Sequence, residues 1–284
     1  RIVRTLEELS REKSVSTRIF QRSILAYYDR YGRSFPWRNT SDPYKILVSE
    51  VMLQQTQTQR VAEKYPEFIK RFPSVRALAR APQSEVLRSW EGLGYYRRAR
   101  NLHQAAVVIC ERHSGRVPNQ RDALRALPGV GEYTAAAVLT FAFAKPTPMV
   151  ETNIRSVYLH VFFRDAKDVS DGEILSLVER TIAQSRCRDW FYALMDVGVE
   201  LKRLRPGINL RSKHHSRQSQ FEGSDRQIAA RILKKTLRSS TGVRLVDARR
   251  ELKIEDERLS RVVARLVADG LVEWGPKRTI RAVS

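Results

Sequence analysis

Cysteine is nearly missing from this chain of 284 residues, which holds only Cys110 and Cys187. Two thiols supply neither a disulfide framework nor an all-cysteine metal site, and this points to a reducing, cytoplasmic compartment. Long apolar runs are missing too: none approaches the roughly 20 residues that span a bilayer, so no membrane association is expected. The first residues carry Glu7, Glu8 and Glu12, unlike the cationic-then-apolar order of a secretory signal. Acidic residues are in deficit, with 31 Asp and Glu against 52 Lys and Arg and a formal charge of +21. An excess of this size is the electrostatic footprint of a nucleic-acid binder. The bland alternative is a basic protein of a high-salt or thermophilic cell. With 42% hydrophobic residues, the length supports one large domain and a small one.

Alternating strand patterns are absent before residue 240, and the periodicity predicts a mainly α fold. Residues 1 to 16 read as a loosely attached helix or arm. Thr17 to Tyr31 has a helical apolar period that Gly32 stops, and Ser41-Asp42-Pro43 starts a helix running to about Gln59. Further helices are expected over Val61 to Arg71, Val75 to Arg80, Ser84 to Trp90, Arg97 to Arg112, Asp171 to Ala183 and Asp189 to Leu201. Lys202 to Gln220 is polar and basic and includes His214 and His215. Adjacent histidines point in different directions and no cysteine or carboxylate lies close, so a solvated or phosphate-facing strip is expected rather than a metal site. Three short helices (Asp225 to Leu237, Leu245 to Leu252, Glu257 to Asp269) and a hairpin over residues 270 to 280 follow the order of a winged-helix-like unit.

Three stretches carry candidate chemistry. Arg121 to Ala126, the turn Leu127-Pro128-Gly129-Val130-Gly131 and a helix from Thr134 to Ala144 form a helix-hairpin-helix. Its glycines allow close backbone approach, and the exposed amides of the second helix suit a phosphate oxygen. Glu151 follows soon after, near whatever that grip holds. Glu50 lies on the apolar stripe of its helix with Ile46, Leu47 and Leu53. A carboxylate there takes a basic partner, takes donors, or holds a proton as a general acid does. The loop Gly92-Leu93-Gly94-Tyr95-Tyr96 precedes the basic pair Arg97-Arg98; aromatics beside arginine suit wedging between bases, and equally suit anchoring a loop to a core.

Phe35-Pro-Trp-Arg38, Pro43-Tyr-Lys45, Ser49-Glu50-Val-Met-Leu-Gln54-Gln55-Thr56, Gly92-Leu-Gly-Tyr-Tyr96, Ala99-Arg-Asn-Leu102 and Leu127-Pro-Gly-Val-Gly131 stand in one order. In that order and spacing, over roughly residues 18 to 200, the chain resembles the helix-hairpin-helix (HhH-GPD) DNA glycosylases, and within them the MutY adenine glycosylase branch. The resemblance implies a two-lobed helical fold, with a six-helix barrel lobe over 44–147 and a second lobe from 17–43 and 148–222; the winged-helix-like unit read from the order of elements is expected over 223–284. The resemblance also implies a monomeric, nucleoid-associated repair enzyme with double-stranded DNA in the cleft and one nucleotide flipped out. Residue by residue, Glu50 matches the glutamate that protonates the departing base, and Glu151 stands where the family has an aspartate that stabilises the cationic sugar. Asn153 matches the asparagine two residues further on, and Tyr133 replaces the lysine of lyase-competent relatives. The resemblance places Gln54, Gln55, Thr56, Leu93, Gly94, Tyr95, Tyr96 and the residues Leu127, Pro128, Gly129, Val130 and Gly131 against DNA.

Three departures qualify the match. The aspartate is a glutamate. The family's iron-sulfur loop, C-x6-C-x2-C-x5-C, falls on Lys202, Asn209, Ser212 and Gln218, so no cluster, metal or other cofactor is expected. The family's 8-oxoguanine-recognition domain is not expected, since an apparent winged-helix unit of about 60 residues stands in its place. Adenine in a mispair is the first expected substrate, and thymine or uracil opposite guanine is the alternative. A non-catalytic binder of damaged DNA is the rival from another class, and a transcription regulator built on the last quarter of the chain is a third reading.

Overall fold

The computed structural model describes residues 2–12, 14–214 and 220–283. His215, Arg217 and Gln218, three positions of the basic strip, lie outside the described residues. Among the described residues the helices in chain order are α1 (Ile2–Ser10), α2 (Thr17–Tyr31), α3 (Pro43–Leu53), α4 (Thr58–Arg71), α5 (Val75–Arg80), α6 (Gln83–Ser89), α7 (Arg97–Arg112) and α8 (Arg121–Arg125). There follow α9 (Glu132–Phe143), α10 (Thr152–Val161), α11 (Asp171–Thr181), α12 (Cys187–Leu204), α13 (Asp225–Arg238), α14 (Leu245–Leu252) and α15 (Asp256–Ala268). Three short strands, β1 (Val243–Arg244), β2 (Val272–Gly275) and β3 (Thr279–Ala282), all lie after residue 240. None of the helices is long and apolar enough to cross a membrane.

The chain divides into two compact units, residues 1–46, 119–125 and 130–217 in one, and 47–118, 126–129 and 218–284 in the other. In the first, α12 is the central element. Its Trp190, Phe191, Leu194, Val197 and Leu201 are fully buried, and it packs on α2 and α10. Phe20 of α2 meets the rings of Tyr158, Phe162 and Trp190 edge-on at 5.2–5.8 Å, the geometry that aromatic quadrupoles favour. The N-terminal residues are not a loose arm: Ile2, Val3, Leu6 and Leu9, spaced on one helical face, are all buried. Glu7 pairs with Arg205 on the same unit. A buried ion cluster ties the Phe35–Arg38 turn to α12. Asp196 accepts from Arg38 at both oxygens (2.8 Å each), and from the Arg33 backbone N–H (2.9 Å) and Nε (2.7 Å).

In the second unit, α5 and α6 pack on α7, and Trp90 meets Phe68 edge-on at 5.7 Å. The last 60-odd residues cluster with this unit rather than forming a body of their own. The strands make an antiparallel sheet in the order β1-β3-β2, with Val243 and Trp274 both opposite Ile280. Ile280 is fully buried, and α13 and α15 close over the sheet.

Candidate active site

Helix α3 stops six residues short of the expected Gln59. Its successor starts at Thr58, and Gln54, Gln55 and Thr56 form a turn with Gln55 in the left-handed region (φ 54°). The cause is Arg98. Rather than facing DNA as half of an exposed basic pair, it is 8% exposed and donates to the carbonyls of Val51 (3.0 Å) and Met52 (2.7 Å) at the helix end. Its other arm donates to Thr56 Oγ1 (2.9 Å) and to the carbonyls of Leu93 (2.9 Å) and Gly94 (3.0 Å). A planar guanidinium has enough fixed donors to hold two loops in register at once. Burial pulls Arg98 down to about 10. The Gln54–Thr56 turn and the Gly92–Tyr96 loop are thereby brought together. Within the loop, Leu93 is 4% and Tyr96 8% exposed, and burial pushes the Tyr96 hydroxyl up to about 12. Tyr95 is half-buried with φ 46°. Of the two adjacent tyrosines, the loop therefore offers Tyr95 outward and uses Tyr96 as its anchor. Glu50 lies on the same α3 at 4% exposure, next to the fully buried Ser49.

The hairpin alternates its faces. Leu127 and Val130 are buried, while Gly129 and Gly131 are exposed. Gly129 has φ +76°, and a Cβ there would lie 2.8 Å from Asn101 Cβ, so only glycine fits. Helix α9 begins at Glu132, two residues before its expected start, and Arg121 and Arg125 pair with Glu132 at 2.6 and 2.5 Å. Tyr133 is half-buried in its first turn, followed by the buried Thr134.

Glu151 has a place the periodicity did not predict, because residues 152–161 form a helix and Glu151 is its N-cap. Its Oε1 accepts from the backbone N–H groups of Asn153 and Ile154 (2.8 Å each), and its Oε2 accepts from Asn153 Nδ2 (3.0 Å). A shorter capping residue does this more commonly; the glutamate does it by folding back on its own helix, where the dipole favours its charge. Burial pushes its carboxyl above the usual range, while the two amides, Lys202 and Arg155 pull the other way. A carboxylate can only accept, so Asn153 must turn its amide nitrogen toward Glu151. Its buried Oδ1 is left with no hydrogen-bond partner among the described residues. The pair thus carries one buried acceptor without a partner among the described residues. Behind Asn153 stands Gly198 of α12, where an added Cβ would lie 2.2 Å from the Asn153 carbonyl oxygen. The signal for the missed helix was short: Glu-Thr-Asn is a capping sequence, but Arg155, His160 and the buried Ser156 interrupt the apolar stripe.

The positions of the family's cluster do not fit an iron-sulfur group, since that group is held by thiolates. Asn209 instead is 9% exposed, donates to Thr152 Oγ1 (3.0 Å) and accepts from Ser156 Oγ (3.0 Å). Ser212 pairs by a parallel bridge with Val169. Arg211 donates to the carbonyls of Leu159 (2.9 Å) and Phe163 (2.7 Å), closing the end of α10. Hydrogen bonds thus hold this loop to α10. Among the described residues no group of three or more His, Cys, Asp or Glu could hold a metal.

Residues 48–182 match the family model described as HhH-GPD superfamily base excision DNA repair protein. The chain is 34% identical over 271 residues to the adenine DNA glycosylase of Mycolicibacterium smegmatis, covering 88% of this chain and 91% of that one. It is 34% identical over 182 residues to the thymine/uracil-DNA glycosylase of Methanothermobacter thermautotrophicus, covering 63% and 82%. A solved thermostable thymine-DNA glycosylase superposes with a TM-score of 0.59 at 30% identity, over 69% of this chain and 94% of its own. The chain belongs to the HhH-GPD superfamily of base excision DNA repair proteins. Within it, it falls in the MutY-like branch of DNA glycosylases.

Proposed function

We propose that this glycosylase hydrolyses the N-glycosidic bond of a flipped adenine in mispaired double-stranded DNA, acting as a monomer on the nucleoid and without a metal or cluster. The observation that carries the reading is the Glu151–Asn153 pair, a carboxylate fixed by three donors next to an unpaired amide oxygen. The similarity to an adenine DNA glycosylase over 91% of its length supports adenine.

Base loss has two obstacles, a poor anionic leaving group and a cationic sugar. Glu50, buried on α3 beside Ser49, donates a proton to the departing base, and the electrons of the C1′–N bond leave with it. Glu151 lies ionised against the cationic sugar, lowering its energy by preorganised charge. A water accepted by Asn153 Oδ1 attacks C1′ and loses its proton to the Glu151 carboxylate. The products are the free base and an abasic site. Tyr133, standing where lyases place an amine, forms no Schiff base, so the strand stays intact. The Leu127–Gly131 hairpin holds a phosphate through its exposed amides.

The test is a panel of duplexes, each with one mispair or lesion: adenine opposite guanine or 8-oxoguanine, and thymine or uracil opposite guanine. Chromatography identifies the released base, and gels with and without hot alkali separate base loss from strand cleavage. Adenine release with alkali-dependent cleavage supports the reading; thymine release alone transfers it to the other branch; no release from any duplex refutes it.

A further inference from the structure

The residues after 220 lie outside the stretch that the family model matches, and they raise the question of what they do. They join the rest of the second unit through α13 and the Asp269–Gly270 turn. Arg88 Nε of α6 donates to the Leu237 carbonyl at the end of α13 (3.0 Å), and Gln83 Nε2 donates to the Gly270 carbonyl (2.8 Å). Glu91 pairs with Lys234 at 2.5 Å and Arg238 at 3.4 Å, and Arg97 with Asp269 at 3.4 Å. Gly270 has φ +59°, and a Cβ there would lie 2.9 Å from Arg100 Nε. The far end of α13 is the informative one. Asp225 at its first turn accepts from Arg258 Nε of α15 (2.8 Å), which fixes that turn and the next residue with it. Arg226 then lies with its guanidinium carbon 5.3 Å from the centre of the Tyr95 ring and donates to the Tyr95 hydroxyl. Arg98 stands 5.6 Å from the same ring centre. Tyr95, held at a φ that an aromatic residue seldom adopts, is thus gripped by a guanidinium of the loop's own hub and by one of the C-terminal segment.

We propose that Arg226 is a positioning residue for Tyr95, and that through it the C-terminal helices and sheet form part of the duplex-reading surface, setting the discrimination of the base opposite the target. The inference rests on the reading of the Gly92–Tyr96 loop as the element that enters the duplex. A hydrogen bond from a charged donor and a cation over the ring face together hold the ring against rotation. Duplex entry then finds the wedge already in place. Neither interaction involves Glu50, Glu151 or Asn153, so Arg226 acts on opposite-base preference and not on the bond broken.

The test is a double-mutant cycle of Arg226→Ala and Tyr95→Phe, with Arg250→Ala as the control for one lost positive charge; Arg250 lies on α14 with its side chain 86% exposed. Three readouts are taken: amide exchange of residues 92–96 in the free protein, fluorescence of 2-aminopurine beside the mispair in the bound duplex, and single-turnover excision opposite 8-oxoguanine and guanine. The expected result for Arg226→Ala is about tenfold faster amide exchange, a weaker 2-aminopurine signal and about tenfold less discrimination, falling to about threefold in the Tyr95→Phe background, where the hydroxyl bond is gone and the cation–ring contact remains. Equal effects in both backgrounds, or an Arg226→Ala that behaves as Arg250→Ala, would overturn the inference. If the wild-type protein excises nothing, the glycosylase reading fails, and the exchange and fluorescence measurements still decide the role of Arg226.

Discussion

Gly198→Ala subjects the capped carboxylate to the smallest perturbation available. An alanine Cβ at this point of α12 would sit 2.2 Å from the Asn153 carbonyl oxygen, 2.6 Å from its carbon and 2.7 Å from its Cα. Carbon–oxygen contacts settle at about 3.3 Å or more, so α10 and α12 must part by about 1 Å at their crossing. All three neighbours are backbone atoms and none can swing aside. Mid-helix alanine is intrinsically favoured over glycine by roughly 0.5–1 kcal/mol, and overpacking of this kind costs about 1–3 kcal/mol, so a net loss of stability of about 1–2 kcal/mol is expected. The larger effect falls on the reaction. Asn153 supplies two of the three donors that orient Glu151, and a misplacement of about 1 Å costs on the order of a hundredfold in rate. The assay is single-turnover excision beside thermal denaturation. Gly172→Ala is the control, because a Cβ there meets nothing nearer than Ser170 Oγ at 3.9 Å. If Gly198→Ala matches Gly172→Ala in both rate and melting temperature, the link from α12 packing to the Glu151 carboxylate is wrong.

Two further outcomes follow from the same unit. Asp196→Ala leaves Arg38 charged, with its side chain only 6% exposed, without its carboxylate, and should destabilise the protein by about 3–5 kcal/mol in a denaturant titration. For Glu151, the raised pKa means that the folded chain holds a proton where the unfolded chain has released it; the stability this gives is full below the unfolded value and is lost as pH rises through the folded one. Glu151→Gln, fixed neutral, should therefore gain stability relative to its parent between acid and neutral pH. It should also lose the acid limb of the excision profile, which in the parent lies above the ordinary glutamate range. An unchanged acid limb in Glu151→Gln would assign that limb to another group.

Elements with a clean apolar period and a clear stop were legible in the sequence: α2, α5, α7 and α14 lie where the periodicity put them. The misses share a cause, in that a tertiary contact decided what the local pattern left open. Helix α3 ends early because Arg98, 45 residues beyond Leu53, captures its last carbonyls. The period of α10 is broken by polar residues whose partners, Asn209 for Ser156 and Asp171 for Arg155, come from remote parts of the chain. The N-terminal helix is anchored by four apolar residues too sparse in sequence to announce a core contact. For the site, residue types were readable and conformations were not. Glu151 was visible as a carboxylate after the hairpin, but its role as a helix cap depends on a helix the pattern concealed.

Whether a buried carboxylic acid on α3 drives base release is decided by comparing wild type with Glu50→Gln in single-turnover excision of adenine, with duplex affinity measured in parallel. The expected result is a loss of about a hundredfold or more in rate with duplex affinity retained. A Glu50→Gln protein that excises adenine within a few-fold of the wild-type rate would contradict it.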